Sequence, residues 1–258
     1  MKKILVILII LMTMFSANLS VFAKTKAFQY QAKDGFNMTG NIYLPKIEPG
    51  KKVPVVILLH SIGSSKKDWK DLPDLIAQKG YACLALDLRG HGQSIYNAKM
   101  KQRSWMYFTD KDYAKYPQDL ILGVEALKVE YAKKIDTKKM IFVGSNIGAS
   151  TAVIAASKIN KQGNFVRSIV MISPRLNIKK LFVPIEFVSF GQRPVLIFDN
   201  KNSPKGFNET LEIKKYAQGN CVLKVVPTPG MAMALYKSTP TMKTDILNWI
   251  VTVFNQST

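Results

Sequence analysis

The residues whose types and spacing bear on chemistry lie in Val143-Gly144-Ser145-Asn146-Ile147-Gly148-Ala149-Ser150. An apolar run, Met140 to Val143, leads in, and a small-residue stretch, Ala149 to Ser157, leads out. The pattern predicts a strand, a sharp turn and a helix, with glycines two residues either side of Asn146. In a nucleophile elbow such glycines let the helix pass close to the strand, and the central side chain stands at the sheet's C-terminal edge. A central serine would be the nucleophile, activated by a nearby base. An amide has no proton to lose near neutral pH and no oxygen of useful nucleophilic strength. The spacing therefore predicts the turn without its chemistry. Shifting the frame to centre Ser145 would put β-branched Val143 and Ile147 where the turn needs small residues. A chance glycine pair in an ordinary strand–helix turn is the plain alternative, so the surroundings must decide.

The base is the next question. The chain has two histidines, His60 and His91, and both precede Asn146. No histidine downstream is available as a general base. Asp199, at the end of an apolar run, is a candidate displaced acid or a strand-end cap. Cys83 and Cys221 each lie in strand-like apolar runs and are expected to be buried free thiols rather than a disulfide. Neither a metal-binding cluster nor a nucleotide loop is evident, so no metal and no cofactor is expected.

The elements that would position these residues follow from periodicity. Phe28 to Ala32 and Met38 to Leu44, separated by Asp34-Gly35, predict a hairpin. Continuous apolar runs predict buried parallel strands at Val55–Leu59 and Tyr81–Leu86, and further strands are predicted at Met140–Val143, Ser168–Ile172, Pro194–Phe198 and Cys221–Val226. Helices are predicted over Asp68–Lys79, with Trp69, Leu72, Leu75 and Ile76 on one face, and over Pro117–Tyr131, Ala149–Ser157, Glu209–Ala217 and Thr239–Phe254. Ile95–Tyr116 reads as a polar, aromatic excursion and Asn177–Arg193 as irregular, so no large lid is expected. The alternation predicts an α/β domain: a mostly parallel sheet, an N-terminal antiparallel hairpin, and helices on both faces.

At 258 residues and 47% hydrophobic, the chain suits one large domain. Lys2 and Lys3, the apolar Ile4 to Phe15 and the site Val21-Phe22-Ala23 match a signal peptide, with residues 24–258 as the exported domain. A retained anchor is the alternative. The net charge of +20 suits an anionic envelope surface. The lysines are scattered in pairs without an arginine–aromatic stripe, which argues against nucleic acid and for a solvated surface.

Four features resemble the α/β-hydrolase superfamily, near the dienelactone-hydrolase and serine-aminopeptidase-like exported esterases. They are Leu58-Leu59-His60-Ser61-Ile62-Gly63-Ser64-Ser65 with Trp69, Asp87-Leu88-Arg89-Gly90-His91-Gly92-Gln93-Ser94, the elbow, and the strand order. Together they span almost everything after residue 23. The resemblance implies a triad in the order serine, acid, histidine. Carried over, the nucleophile falls on Asn146, the acid on Ser203 before Pro204, and the histidine on Met233 in Gly230-Met231-Ala232-Met233-Ala234. The triad is thus degenerate at each position. His60 and His91 fall on family positions that more often hold structural hydrogen bonds. The oxyanion hole, made of backbone N–H groups, would fall on Ile147 and Ile62, with His60, Ser61, Ser145 and Asp199 lining the cleft.

Three functions are compatible with these residues. One is a secreted hydrolase-fold pseudoenzyme that binds a small carbonyl or carboxylate ligand. Another is a weak carboxylic-ester hydrolase using Ser145, Ser61 or Ser150 with His60. The third is a basic envelope-associated scaffold whose cleft is filled by side chains.

Overall fold

The computed structural model describes residues 23–256. The expected signal segment up to Phe22 lies outside the described residues. The chain opens with β1 (Lys24–Gln31) and β2 (Asn37–Leu44), paired antiparallel from Lys24↔Leu44 to Gln31↔Asn37. Gly35, at φ 74°, makes the turn between them. Next come β3 (Val53–Leu59), α1 (Leu72–Gln78), β4 (Ala82–Asp87), α2 (Tyr116–Glu130), β5 (Ile135–Ser145) and α3 (Ile147–Asn160). The remainder is β6 (Val166–Ile172), α4 (Pro184–Phe190), β7 (Val195–Asp199), α5 (Pro204–Lys215), β8 (Cys221–Val225), α6 (Ala232–Ser238) and α7 (Pro240–Gln256).

The eight strands form one sheet in the order β1-β2-β4-β3-β5-β6-β7-β8. β2 is antiparallel to both neighbours, and β4 through β8 run parallel. Alternating side chains feed two apolar layers. Val55, Ile57 and Leu59 of β3 join the layer beneath α2, α3 and α4. Val56 and Leu58 join the layer beneath α1, α6 and α7. Strands buried on both faces read as unbroken apolar runs, which is why periodicity located them.

Helix α3 is buried from Ile147 to Ser157. Its alanines and serines, with Gly148, let it lie close against the sheet. Among the described residues no helix is long and apolar enough to cross a membrane. Both cysteines are free thiols; Cys83 is buried on β4 as expected, but Cys221 is only half-buried, because β8 is the edge strand of the sheet.

The structure corrects several sequence expectations. Asp68–Lys79 is not one helix. A 3₁₀ turn over Lys66–Trp69 ends at Lys70, at φ 55°, and α1 restarts at Leu72 with Pro73 in its first turn. Proline fits there because the first helical N–H groups lack partners anyway. Asn177–Arg193 is not wholly irregular: a two-residue ribbon joins Asn177–Ile178 to Leu181–Phe182, and α4 follows. Helix α6 was not anticipated, because Gly230 and the apolar Met231-Ala232-Met233 read as a turn.

Candidate functional site at the elbow

Strand β5 ends at Ser145, and Asn146 turns the chain into α3 at φ 53° and ψ −112°. Asparagine tolerates positive φ better than most side-chain-bearing residues. A Cβ on Gly144 would collide with the backbone of Gly148, and one on Gly148 with the carbonyls of Leu59 and His60. Both glycines are therefore required by close approach, as their spacing predicts. Asn146 N–H donates to Ile172 O (2.8 Å), and Asn146 O accepts from Ala149 N (3.0 Å) and Ser150 N (3.2 Å). The Asn146 side chain caps nothing and is half-buried. Ile147 is the first residue of α3, where the backbone N–H has no intrahelical acceptor. Ile62, in the loop after β3, has a partly buried side chain against the main core.

The residues expected at the acid and base positions, Ser203 and Met233, lie at the starts of α5 and α6. Ser203 begins α5, and its Oγ accepts from Gly206 N (3.4 Å), a helix N-cap. Met233 lies in the first turn of α6, buried in the apolar layer with Leu235, Val226 and Phe198. Ser173 Oγ accepts from Ala232 N (3.0 Å), which brings the head of α6 to the end of β6, the strand whose Ile172 carbonyl holds the elbow. Asn200 Nδ2 donates to the carbonyls of Thr228 (2.9 Å) and Gly230 (2.7 Å), tying the loop after β7 to the loop after β8. Ser173, at φ 46°, and Asn200 were not singled out from sequence. Their only signal was their place at strand ends.

The two histidines have settled roles. His60 is fully buried. Its Nε2 accepts from Leu88 N (2.9 Å), so its proton is on Nδ1, which donates to Ser61 O (2.7 Å). His91 repeats the arrangement: Nε2 accepts from Gly63 N (3.1 Å), and Nδ1 lies 3.0 Å from Arg89 O. Both nitrogens of both rings engage the main chain. Burial, and then the neighbouring imidazole of His91, lowers the His60 pKa to about 4. Burial likewise lowers that of His91. Both rings are neutral at pH 7 and pin the loop after β4 to the loop after β3. The Trp105 ring stacks on His91 at 5.4 Å, so the excursion after β4 folds over the same loop.

The other residues expected around a cleft are equally committed or enclosed. Asp199 Oδ2 accepts from Thr210 Oγ1 (2.6 Å), its Oδ1 accepts from Asn200 N (3.0 Å), and Arg175 lies 3.6 Å away. Ser61 is buried, and the buried hydroxyls of Ser145 and Ser150 have no hydrogen-bond partner. No serine hydroxyl bonds either histidine among the described residues. A cavity of about 690 Å³ lies beside β1 and β2, and Asn146 is not among the residues that line it. Of the aromatic residues near the strand ends, Phe187 is core, while Tyr107 and Phe182 are exposed.

The motif after β4 is a buried polar network. Asp87 accepts from Lys66 Nζ (2.5 Å), Lys66 N (2.8 Å) and Gln93 N (2.9 Å). Arg89 grips Asp119 through Nε and Nη2 (both 2.7 Å) and reaches Asp34 at 2.9 and 3.0 Å. Ser94 Oγ donates to Asp87 O (2.9 Å) and accepts from Thr39 N (2.8 Å).

Solved structures share this architecture. An acetyl xylan esterase from Paenibacillus sp. R4 is 15% identical, with a TM-score of 0.70 over 92% of this chain and 86% of that one. The Pyrococcus furiosus esterase Pf2001 is 20% identical, with a TM-score of 0.67 over 90% and 92%. A dienelactone hydrolase from Anabaena variabilis ATCC 29413 is 14% identical, with a TM-score of 0.63 over 91% and 98%. At these identities the likeness establishes the α/β-hydrolase fold alone. No curated protein matches the chain. A family model does, over residues 50–253, and with the elbow and strand order it places this chain in the family described as serine aminopeptidase, S33.

Proposed function

We propose that this chain is a hydrolase-fold protein that no longer hydrolyses esters or peptides and acts by binding. The observation that carries this reading is the state of its histidines. Both precede the elbow, and every ring nitrogen is held by the main chain. A serine-type mechanism needs an imidazole that can take a proton from the nucleophile and give it to the leaving group. On this reading Asn146, Ser203 and Met233 stand where nucleophile, acid and base would be, and they serve as turn residue, helix cap and core filler. The N–H groups of Ile147 and Ile62 are the donors that a carbonyl or carboxylate ligand would meet. The same proposal includes export, from the pattern ending at Ala23, and attraction to anionic envelope surfaces, from the charge of +20. A weak esterase using Ser145 or Ser150 would have to draw His60 out of two backbone hydrogen bonds.

Hydrolysis of p-nitrophenyl acetate by the purified protein, beside the variant Asn146→Ser, Ser203→Asp, Met233→His, tests the reading. The native protein is expected at the uncatalysed background. The triple variant is expected to rise above it by about 10²-fold or more. Native turnover that disappears in Ser145→Ala would overturn the proposal and identify a displaced nucleophile.

A further inference from the structure

The opposite edge of the sheet carries two arginines that the elbow does not use. Arg167 is the second residue of β6, and Arg193 stands two residues before β7, so both lie at the N-terminal ends of the parallel strands. With Asn164, Gln192, Pro194 and Gln256 they line a cavity of about 490 Å³. Both side chains are half-buried. The arginine ion pairs belong to Arg89, Arg103 and Arg175, so among the described residues no carboxylate meets either of these two guanidiniums. None of the residues lining the cavity is acidic.

Arg193 is held in place. Its Nε donates to Asn164 Oδ1 (2.6 Å), its Nη1 donates to the Phe190 carbonyl, and its guanidinium lies 5.4 Å from the centre of the Phe190 ring. Arg167 presents a buried Nε with no hydrogen-bond partner. Burial, and then the like charge of Arg167, lowers the Arg193 pKa from its ordinary value. Two adjacent cations with an unused donor and no counter-charge among the described residues repel one another. An oxyanion between them would reverse that repulsion and satisfy the orphaned donor. Guanidinium forks match the paired oxygens of a phosphate or carboxylate. Two uncompensated charges favour a dianion, which selects phosphate over a monocarboxylate. The cavity exceeds an inorganic ion, and the amides of Asn164, Gln192 and Gln256 suit the hydroxyls of an attached organic group.

We propose that Arg167 and Arg193 form a binding site for a phosphate dianion, free or as the monoester of a small polar molecule. The site stands at the far end of the strands from Asn146 and does not rest on whether the chain hydrolyses esters.

Calorimetric titration of the purified protein at fixed ionic strength tests this, with inorganic phosphate, glycerol 3-phosphate and acetate as probes. Phosphate is expected to bind in the millimolar range or tighter, and acetate at least ten-fold more weakly. Arg167→Gln and Arg193→Gln should each weaken phosphate at least ten-fold. The double variant Lys201→Gln, Lys205→Gln removes two exposed charges at the other edge and should stay within two-fold of native. Tighter binding of glycerol 3-phosphate than of phosphate identifies a monoester site, and equal binding a free-phosphate site. The proposal is overturned if native protein gives no phosphate heat at 10-millimolar order, if acetate binds as tightly, or if the lysine variant loses as much as the arginine variants. Should a glutamine variant fail to fold, Arg167→Lys keeps the charge and loses the fork. Unchanged phosphate affinity there also overturns the site.

Discussion

The loop after β4 and the loop after β8 stand on the same edge of the sheet and hold their places by different means. In the first, Asp87, Arg89, His91 and Ser94 are all buried, and each makes at least one side-chain hydrogen bond to another part of the chain. In the second, Met233 and Leu235 sink into the apolar layer, and Tyr236 OH reaches Trp69 O at 3.0 Å. The first loop is a polar lattice in which each residue completes another's hydrogen bonds. The second is an ordinary helix packed by its apolar face. A position inside the lattice cannot change without orphaning a buried group. A position whose only demand is chemistry accepts any residue that caps or fills. On the proposed reading, this is why the family's structural motif survives in Asp87 to Ser94 while nucleophile, acid and base do not.

The contrast would be broken most directly at Asp87. Asp87→Ala leaves the Lys66 ammonium buried without its carboxylate, with only Gln93 Oε1 to accept from it, and the expected loss is about 3–5 kcal/mol. Urea unfolding measures it, and a loss below about 1 kcal/mol would mean the lattice is not what holds this loop.

The histidines sharpen the comparison through pH. The folded His60 pKa, about 4, lies below its ordinary 6.5. The unfolded chain therefore binds a proton that the folded chain refuses. The His60 contribution is complete above pH 6.5 and falls as pH drops from 6.5 toward 4. At about 1.4 kcal/mol per pH unit, the loss over that window is on the order of 3 kcal/mol. Unfolding free energies of native protein and His60→Gln across this window should differ in slope. Parallel curves would show that His60 is not the titrating group.

The smallest effects belong to Asn146 and Ser203. Asn146→Ser and Ser203→Asp should each shift stability by less than about 1 kcal/mol, since aspartate caps a helix as serine does. A loss above about 2 kcal/mol at either would assign that position to the fold and remove the contrast.

Most of the sheet was legible in the chain because buried parallel strands leave unbroken apolar runs, as Val55 to Leu59 and Met140 to Val143 do. The elbow was legible because only glycine fits where α3 passes the strand. Helix α6 was not legible. Its residues carry no cap or clear period, and it forms because Met233, Leu235 and Tyr236 find the apolar layer. The break at Lys70 was missed for the converse reason: the apolar spacing of Trp69, Leu72 and Ile76 continues through it while the backbone does not.

The sequence by itself determined the succession of the eight sheet strands, the turn at Asn146 and the lack of any histidine after it, since these depend on local periodicity, on glycine and on which side chains exist. Only the tertiary structure decided that His60 and His91 are closed within the main chain, that Asp199 is taken by Thr210 and Asn200, and that Arg167 and Arg193 share one cavity. Those facts rest on hydrogen bonds and charges between residues distant in sequence, and no local pattern encodes which of them will meet.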